Sequence, residues 1–213
     1  MTALRPAEAD LTVGPGPAVL GTGRLASDLA RVFGVDAVVD HREPLPVRSH
    51  YLLLPPVPGP LRLAAASDEQ LDSDLARALR DSIYALQGIA SRIDAAIAPR
   101  STGSDRDGGS AETDRSGRDS GSITIVLPAA ATLGQAGASV AGAFCGGMLS
   151  LARTLAIELK RQRIRVNTVL VDQHVPGVVA SLATQATALM SMPGVTGQEI
   201  YLADGLDCGR IRP

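Results

Sequence analysis

A glycine-rich turn near the start of the chain holds the residues whose types and spacing most directly suggest chemistry. The apolar run Ala18-Val19-Leu20 predicts a short strand, which leads into Gly21-Thr22-Gly23 and then a helix over Arg24–Phe33. In such a unit, backbone N–H groups and the helix N-terminus can face the phosphates of a nucleotide. A second strand, Val35–Asp40, ends in Asp40, whose carboxylate stands where a ribose hydroxyl would be bound.

The same turn also has a purely structural interpretation. Ala26 replaces the third glycine of the dinucleotide-binding pattern, so the glycines could serve only to pack the helix against the strand. The candidate cofactor-binding residues, with a simple packing turn as the alternative, are Gly21, Thr22, Gly23, Arg24 and Asp40.

Other combinations of reactive side chains predict no catalytic or metal site. The three histidines are far apart and lack an HExxH pattern, so we predict no metal ligands. Gly137-x-Ser139 lacks the closing glycine of a nucleophile elbow and precedes a helix, which favours a small-residue linker. Arg161, Arg163 and Arg165 alternate at a strand start. A solvated edge is the simpler interpretation of these arginines, and contact with an acyl carrier or a phosphate is the alternative.

The elements that must position these residues are organised by the stretch from Ser122 to Val171. A strand (Ile123–Leu127), a long helix (about Gly142 to Lys160) and a strand (Ile164–Val171) predict a βαβ unit with parallel strands. The apolar stripe of the helix is wider than one sheet contact needs, so we expect the sheet on one side and another helix on the other. Its early glycines would let a second backbone approach: Gly142, Gly146 and Gly147.

The remaining chain alternates strands and helices. The connection His41–Ser49 is too short for the helical crossover of at least ~10–12 residues that a parallel neighbour needs. We therefore expect a missing unit before the strand Tyr51–Leu54. Helices are predicted from Ser67 to about Ala98 and over about Val178–Met190, and a last strand over Val195–Leu202.

Length and composition favour one cytoplasmic domain. The 213 residues suit a single domain, placed at 17–213 behind a flexible leader at 1–16, with a polar, disordered insertion at about 100–121. The net charge of −2 offers little attraction to nucleic acid or to an anionic membrane. The N-terminus does not resemble a signal peptide, and no apolar run reaches the ~18 residues of a membrane span. Cys145 and Cys208 lack CxxC or metal spacing.

From Ile123 onward the chain resembles the short-chain dehydrogenase/reductase (SDR) family, particularly its 3-oxoacyl-carrier-protein reductases. Leu151–Leu159, Ile164–Val169 and Val195–Tyr201 are similar to the family's fifth helix, sixth strand and seventh strand, and Gly34–Asp40 is similar to its second strand. The resemblance implies an α/β fold: a three-layer, Rossmann-like, doubly wound parallel sheet, truncated by one strand–helix unit and the substrate lid. It also implies NAD(P)H-dependent carbonyl reduction and assembly into dimers or tetramers.

The residues that this family uses for catalysis are missing from the matching positions. Its general acid is a tyrosine whose pKa is lowered by a lysine one helical turn later. These two positions fall on Ala141 and Cys145, and the carbonyl-orienting serine falls on about Pro128. The only lysine in the chain is Lys160 and the only asparagine is Asn167, so we assign no catalytic residue.

The retained and missing parts together favour a non-catalytic role. We hypothesise an inactive SDR pseudoenzyme that acts as a stabilising or regulatory subunit of an active ketoreductase paralogue. The expected contacts with that paralogue, or with a second copy of the chain, are the helix Gly142–Lys160 and the strand Val195–Leu202. No nucleic-acid or membrane partner is expected.

Two alternatives stay open at the level of sequence. One is an NAD(P)H-dependent 3-oxoacyl reductase with a non-standard active site that uses Cys145 or Asp172. The other is a nucleotide-binding module that kept the glycine turn without chemistry. The favoured hypothesis needs no cofactor, with NAD(P) as a residual or alternative ligand of the turn.

Overall fold

The described residues form one parallel sheet with helices on both faces. A computed structural model describes residues 16–38, 44–98 and 120–202. The six strands run in the order β2-β1-β3-β4-β5-β6, and every pairing is parallel. The predicted three-layer, doubly wound α/β fold is therefore confirmed. The strands are β1 (Ala18–Gly21), β2 (Ala37–Val38), β3 (His50–Leu54), β4 (Gly121–Pro128), β5 (Ile164–Val171) and β6 (Glu199–Leu202).

Two helical layers cover the sheet. The helices are α1 (Arg24–Phe33), α2 (Asp68–Gln70), α3 (Arg77–Ile97), α4 (Ala129–Leu133), α5 (Ser139–Glu158) and α6 (Val178–Ser191). A π-helical turn, Leu71–Ala76, joins α2 to α3, and 3₁₀ turns occupy Leu63–Ala65 and Leu159–Gln162. Helices α3 and α5 share one core with the sheet, and α1 and α6 share the other. Because both faces are covered, every residue of β5 and every residue of β4 except Pro128 is buried.

The centre of the sheet is the predicted βαβ unit. Strands β4 and β5 pair in register from Gly121 beside Ile164 to Pro128 beside Val171, and α5 crosses between them. Strand β5 has the predicted bounds. Helix α5 begins at Ser139, earlier than predicted, and its last predicted residues form the 3₁₀ turn.

The long helix of the second crossover begins where the sequence predicted. The Ser67 hydroxyl accepts the N–H of Gln70 at 3.2 Å, and the Gln70 side chain accepts the N–H of Ser67 at 3.1 Å. This reciprocal capping satisfies two N–H groups that a helix start leaves without partners. The helix is not continuous, because the π-helical turn interrupts it before α3.

The connection from β2 to β3 has no helix in its described part. Strand β3 pairs with β1 on the side away from β2, so this connection crosses β1. Leu45 and Val47, only 7% and 9% exposed, are buried in this connection, and a Cβ on Gly88 of α3 would lie 3.2 Å from Leu45. The Tyr51 hydroxyl donates to the carbonyl of Pro46. Residues 44–49, the described part of this connection, therefore contain no helix.

The last strand is shorter than predicted. Val195–Gln198 form a loop in which Gly197 has a φ of 72°, and the strand starts at Glu199. Asn167 of β5 holds this loop. Its amide donates to the carbonyl of Val195 at 3.0 Å and its side-chain oxygen accepts the N–H of Gln198 at 3.1 Å. Hydrogen bonds from the Asn167 side chain therefore take the place of the strand pairing that was predicted for residues 195–198.

Arg165 differs most from its predicted role. It is 6% exposed, and its guanidinium donates to the carbonyls of Leu189, Met190 (2.8 Å) and Met192 (2.6 Å) at the end of α6. Burial lowers the pKa of this guanidinium. Both a solvated edge and an anion contact are therefore wrong for Arg165, although Arg161 is exposed.

Several predictions fall outside the described residues. These are the leader at 1–15, the ribose-facing Asp40 and most of the insertion at about 100–121. Gly121 itself is the first residue of β4 rather than part of the insertion. Within the described chain, the segment Ser139–Gln162 is long and apolar enough to cross a membrane by length and composition. Here one side of it packs on the sheet, and core helices commonly pass the same test.

Candidate functional site

A cleft opens at the carboxyl ends of the central strands, where the strand order reverses between β1 and β3. Doubly wound sheets bind their ligands at this point. The cavity has a volume of about 350 Å³. Three of the five predicted cofactor-binding residues line it: Thr22, Gly23 and Arg24. The rest of the described lining is mostly apolar and includes Leu25, Leu54, Pro55, Pro56, Val57, Val126, Leu127, Pro128, Val171 and Gln173.

The two glycines of the turn have different reasons to be glycine. Gly21 has a φ of 152°, and a Cβ there would lie 2.7 Å from both Cβ and the carbonyl oxygen of Leu54. The close approach of β3 thus explains Gly21 without any ligand. Gly23 caps α1 with a φ of 87°, and a Cβ there would meet no atom within 4 Å. Gly23 therefore borders open space at the start of a helix.

The electrostatics at the start of α1 suit an anion. The first turn contains no acidic residue, and its backbone N–H groups form the positive end of the helix. The Arg24 side chain is 95% exposed, and its Nε lies 3.4 Å from a carboxylate oxygen of Asp28. This turn is able to receive a phosphate group. The ribose contact predicted for Asp40 lies outside the described residues.

The positions that match the family's proton-donating tyrosine and its lysine are buried. Ala141 and Cys145 are 4% and 0% exposed. Helix α4 lies over this part of α5: Thr132 hydrogen-bonds the Cys145 thiol, and a Cβ on Gly142 would lie 3.4 Å from the carbonyl of Ala131. Helix α4 was not predicted, because its short run of alanines carries no helical periodicity. It occupies the space in front of the first turns of α5.

The two groups of the alternative enzyme hypothesis have structural roles. Burial raises the pKa of the Cys145 thiol, and the hydrogen bond between the thiol and Thr132 only partly opposes this. The thiol is therefore protonated at neutral pH and unsuited to nucleophilic or base chemistry. The Asp172 carboxylate accepts the N–H of His174 at 2.9 Å. The backbone N–H of Asp172 donates to the carbonyl of Leu202 at 3.0 Å. These contacts form the turn that leads into α6.

The tyrosines and the lysine lie away from the cleft. Tyr51 is 1% exposed and burial raises its pKa to about 12. Tyr84 is exposed on α3, Tyr201 lies on β6, and Lys160 follows the far end of α5. Of the described residues lining the cleft, Arg24 alone has an ionisable side chain. Among the described residues there is also no cluster of three His, Cys, Asp or Glu side chains that could hold a metal ion.

Comparison with known proteins identifies the fold. Neither a protein-family model nor a curated protein matches the chain. A short-chain dehydrogenase/reductase family oxidoreductase from Burkholderia thailandensis is 19% identical with a TM-score of 0.58, and the match covers 91% of this chain and 93% of that one. 4-Hydroxyisoleucine dehydrogenase, complexed with NADH and succinate, is 14% identical with a TM-score of 0.56, covering 75% of this chain and 68% of that one. The chain therefore has the fold of the short-chain dehydrogenase/reductase family, as its resemblance to that family predicted.

Proposed function

We propose that this protein is a non-catalytic subunit of SDR fold that binds an active ketoreductase of the same fold and stabilises or regulates it. The observation that carries this proposal is a contrast along one helix. The inner side of α5 is closed where the family's catalytic groups would stand, and its outer side is exposed and almost uncharged.

The closed side supports the loss of catalysis. Ala141 and Cys145 can supply neither the acid nor the cation, and both are buried. General acid catalysis typically contributes about 10²–10⁴-fold to a rate. In the described cleft the only ionisable group is the Arg24 guanidinium, which does not exchange protons near neutral pH.

The exposed side supports a second chain. Between Ser139 and Ala152 helix α5 has no charged residue, and Ile157 is 77% exposed. Only 39% of the apolar window of this helix is buried. The exposed helix faces of monomeric proteins usually carry many charged residues. An exposed apolar face therefore indicates a contact surface. The exposed residues of α5 are Ser139, Ala143, Gly146, Ser150, Arg153, Thr154, Ile157 and Glu158, and the two charged ones lie in its last two turns.

The last strand extends the same surface. Arg153 of α5 and Glu199 of β6 form an ion pair at 2.5 Å, which joins the edge of the helix to the edge of the sheet. Tyr201, 36% exposed, lies on this edge. A partner that covers β6 can therefore also reach α5, the other contact element predicted from the sequence.

Nucleotide binding without turnover is the second candidate function. It is favoured by the open space at Gly23, the exposed guanidinium of Arg24 and the NADH bound to a protein of the same fold. A reductase that uses Cys145 or Asp172 is disfavoured, because the first is buried and the second is engaged in a turn. Isothermal titration of the purified protein with NADPH and NADP⁺ separates these candidates from a ligand-free subunit.

The main test is co-purification from the native host, read by enzyme activity. Tagged wild-type protein should retain an NADPH-dependent activity on 3-oxoacyl thioesters, and that activity should outlast the activity of the separated reductase on heating. Tyr201→Arg or Ser150→Arg should reduce the retained activity, whereas Val32→Arg on α1, which replaces a side chain that is 56% exposed, should not. Turnover by the purified protein alone, or no reductase activity in any eluate, would contradict the proposal.

A further inference from the structure

We propose that the cleft is filled by residues 203–213 of the same chain, the tail that follows the last strand. In this arrangement the tail runs back along the carboxyl edge of the sheet, with Leu206 in the apolar middle of the cleft and Asp207 beside Arg24. The tail thereby keeps other ligands out of the cleft. The inference goes beyond the proposed function and does not depend on it, because it concerns one chain by itself.

The last described residue lies at the rim of the cleft. Leu202 of β6 pairs with Val171 of β5, and Pro128 of β4 pairs with Val171 on its other side. The carbonyl of Leu202 also accepts the backbone N–H of Asp172 at 3.0 Å. Since Val171 lines the cleft and all the strands are parallel, the chain leaves β6 at the edge of the sheet where the cleft opens.

The tail is long enough to cross the cleft. Four strand spacings of ~4.8 Å separate β6 from β1, a distance of about 19 Å along the edge. An extended chain covers at most ~3.6 Å per residue, so Leu206 can lie about 14 Å from Leu202 and Asp207 about 18 Å from it. Leu206 is then level with β3 and Asp207 with β1. Arg24 begins the helix that follows β1, and its long, exposed side chain shortens the remaining distance.

The middle of the cleft suits an apolar side chain better than a polar one. Three of the lining residues are prolines, Pro55, Pro56 and Pro128, which have no backbone N–H to donate. Leu25 and Val57 add half-buried apolar side chains. A polar ligand would lose hydrogen bonds to water here and gain few in return, whereas a leucine side chain would only lose exposed apolar surface.

The charges of the tail match the one ionisable group of the described lining, Arg24. The first two charged residues after β6 are acidic, Asp204 and Asp207, and the basic residues come later in the tail. The first turn of α1 has no acidic residue that would repel a carboxylate. In the described chain the Arg24 guanidinium meets Asp28 through Nε, so its terminal nitrogens can receive a second carboxylate.

Attachment to the chain favours the tail over a separate ligand. A short flexible connection gives a segment an effective concentration of the order of mM at a nearby site. One leucine side chain and one surface ion pair are weak contacts by themselves. At such a concentration they are enough to keep the cleft filled most of the time.

A native thiol reports where the tail lies, because Cys208 directly follows Asp207. Thr22→Cys places a second thiol on the lining of the cleft, and oxidation of the purified full chain with diamide should join it to Cys208 within one chain. Ser181→Cys, an exposed position on α6 near the same edge of the sheet, is the matched control and should react at least about tenfold more slowly. Cys145 is 0% exposed and does not compete. Mass spectrometry of unreduced peptides identifies the disulfide.

Substitutions in the Thr22→Cys protein test the two contacts. Leu206→Asp should slow disulfide formation about tenfold, because burial of the leucine side chain is lost. Ile211→Asp, an apolar position of the tail beyond the cleft, should leave the rate unchanged. Arg24→Glu should slow the reaction about two- to fivefold, and Arg24→Glu with Asp207→Lys should restore it, since opposite charges again meet. Circular dichroism establishes that each variant is folded.

Three outcomes would overturn the inference. Equal rates for Thr22→Cys and Ser181→Cys, or a rate that Leu206→Asp leaves unchanged, would mean that the tail does not lie in the cleft. A disulfide found only between two chains would mean that the cleft holds the tail of a second copy. None of these outcomes bears on the proposed function, which the retained reductase activity tests separately.

Discussion

The two halves of the sheet differ in how much structure supports them. On one side, β4 and β5 pair over their full length of eight residues and a complete helix crosses between them. On the other, β1 and β2 share two paired positions among the described residues, and residues 44–49 of the connection to β3 contain no helix. Within the described chain, the half that would hold the adenosine of a dinucleotide is reduced, and the half that presents α5 is intact. This difference supports the proposed non-catalytic role.

The largest expected effect comes from returning a lysine to the intact half. Cys145→Lys would place an ammonium group at a position that is 0% exposed under α4. We expect the free energy of unfolding to fall by about 4 kcal/mol, because a buried unpaired charge loses its hydration. Cys145→Met, similar in size and uncharged, should cost about 2 kcal/mol by overpacking. Urea denaturation measures both, and equal losses would mean that the position is not closed to water.

Removal of the Arg165 guanidinium should have the next largest effect. Arg165→Met leaves the carbonyls of Leu189, Met190 and Met192 without this donor. Because hydrogen bonds from a charged donor contribute about 1.5–3 kcal/mol each and are not additive, we expect a loss of about 3 kcal/mol in urea denaturation. Arg31→Met removes an exposed ion pair and should change stability by less than about 1 kcal/mol. If Arg165→Met leaves stability unchanged, the C-terminal end of α6 does not depend on these hydrogen bonds.

The reduced half should be sensitive to alkaline pH through Tyr51. Its folded pKa is about 12 against an ordinary value of 10.0, so the unfolded chain releases the proton first. The stabilising contribution is complete below pH 10.0 and is lost as the pH rises from there towards 12. A shift of this size corresponds to at most ~2.7 kcal/mol. Urea denaturation at several pH values should show the decline in wild-type protein, and Tyr51→Phe should flatten it.

The two glycines of the turn provide the smallest and most discriminating comparison. Gly21→Ala should cost about 2 kcal/mol, because the new Cβ meets Leu54 in addition to an unfavourable φ. Gly23→Ala should cost only about 1 kcal/mol, because its positive φ is unfavourable for alanine but the new Cβ would contact no neighbouring atom. Thermal unfolding measures both. If Gly23→Ala instead abolishes binding of NADPH in calorimetry, the turn is a ligand site and the reduced half has kept a function.

Much of the fold could be predicted from the sequence, because its signals are local. Helix α1 has the predicted bounds since Gly34, with a φ of 65°, ends it, and β5 has them since five of its eight residues are β-branched. The last strand was predicted too long. Its first residues are apolar or β-branched, but Gly197 and the side chain of Asn167 hold them in a loop.

The candidate site could be predicted only in part, because its decisive contacts are distant in sequence. The glycine turn was found, and its residues Thr22, Gly23 and Arg24 line the cleft. The cover that α4 forms over Cys145, and the pairing of Arg165 with the end of α6, depend on how separate elements pack. An alternating row of arginines looks the same in sequence whether its last member is solvated or buried.

The order of the strands limits how this protein can aggregate. The eight-residue strands β4 and β5 lie inside the sheet, each with a paired neighbour on both sides. Another chain can add a strand only where backbone N–H and C=O groups are unpaired, which is at the outer strands of a sheet. In the folded protein the longest apolar strands are therefore withheld from amyloid-like strand addition.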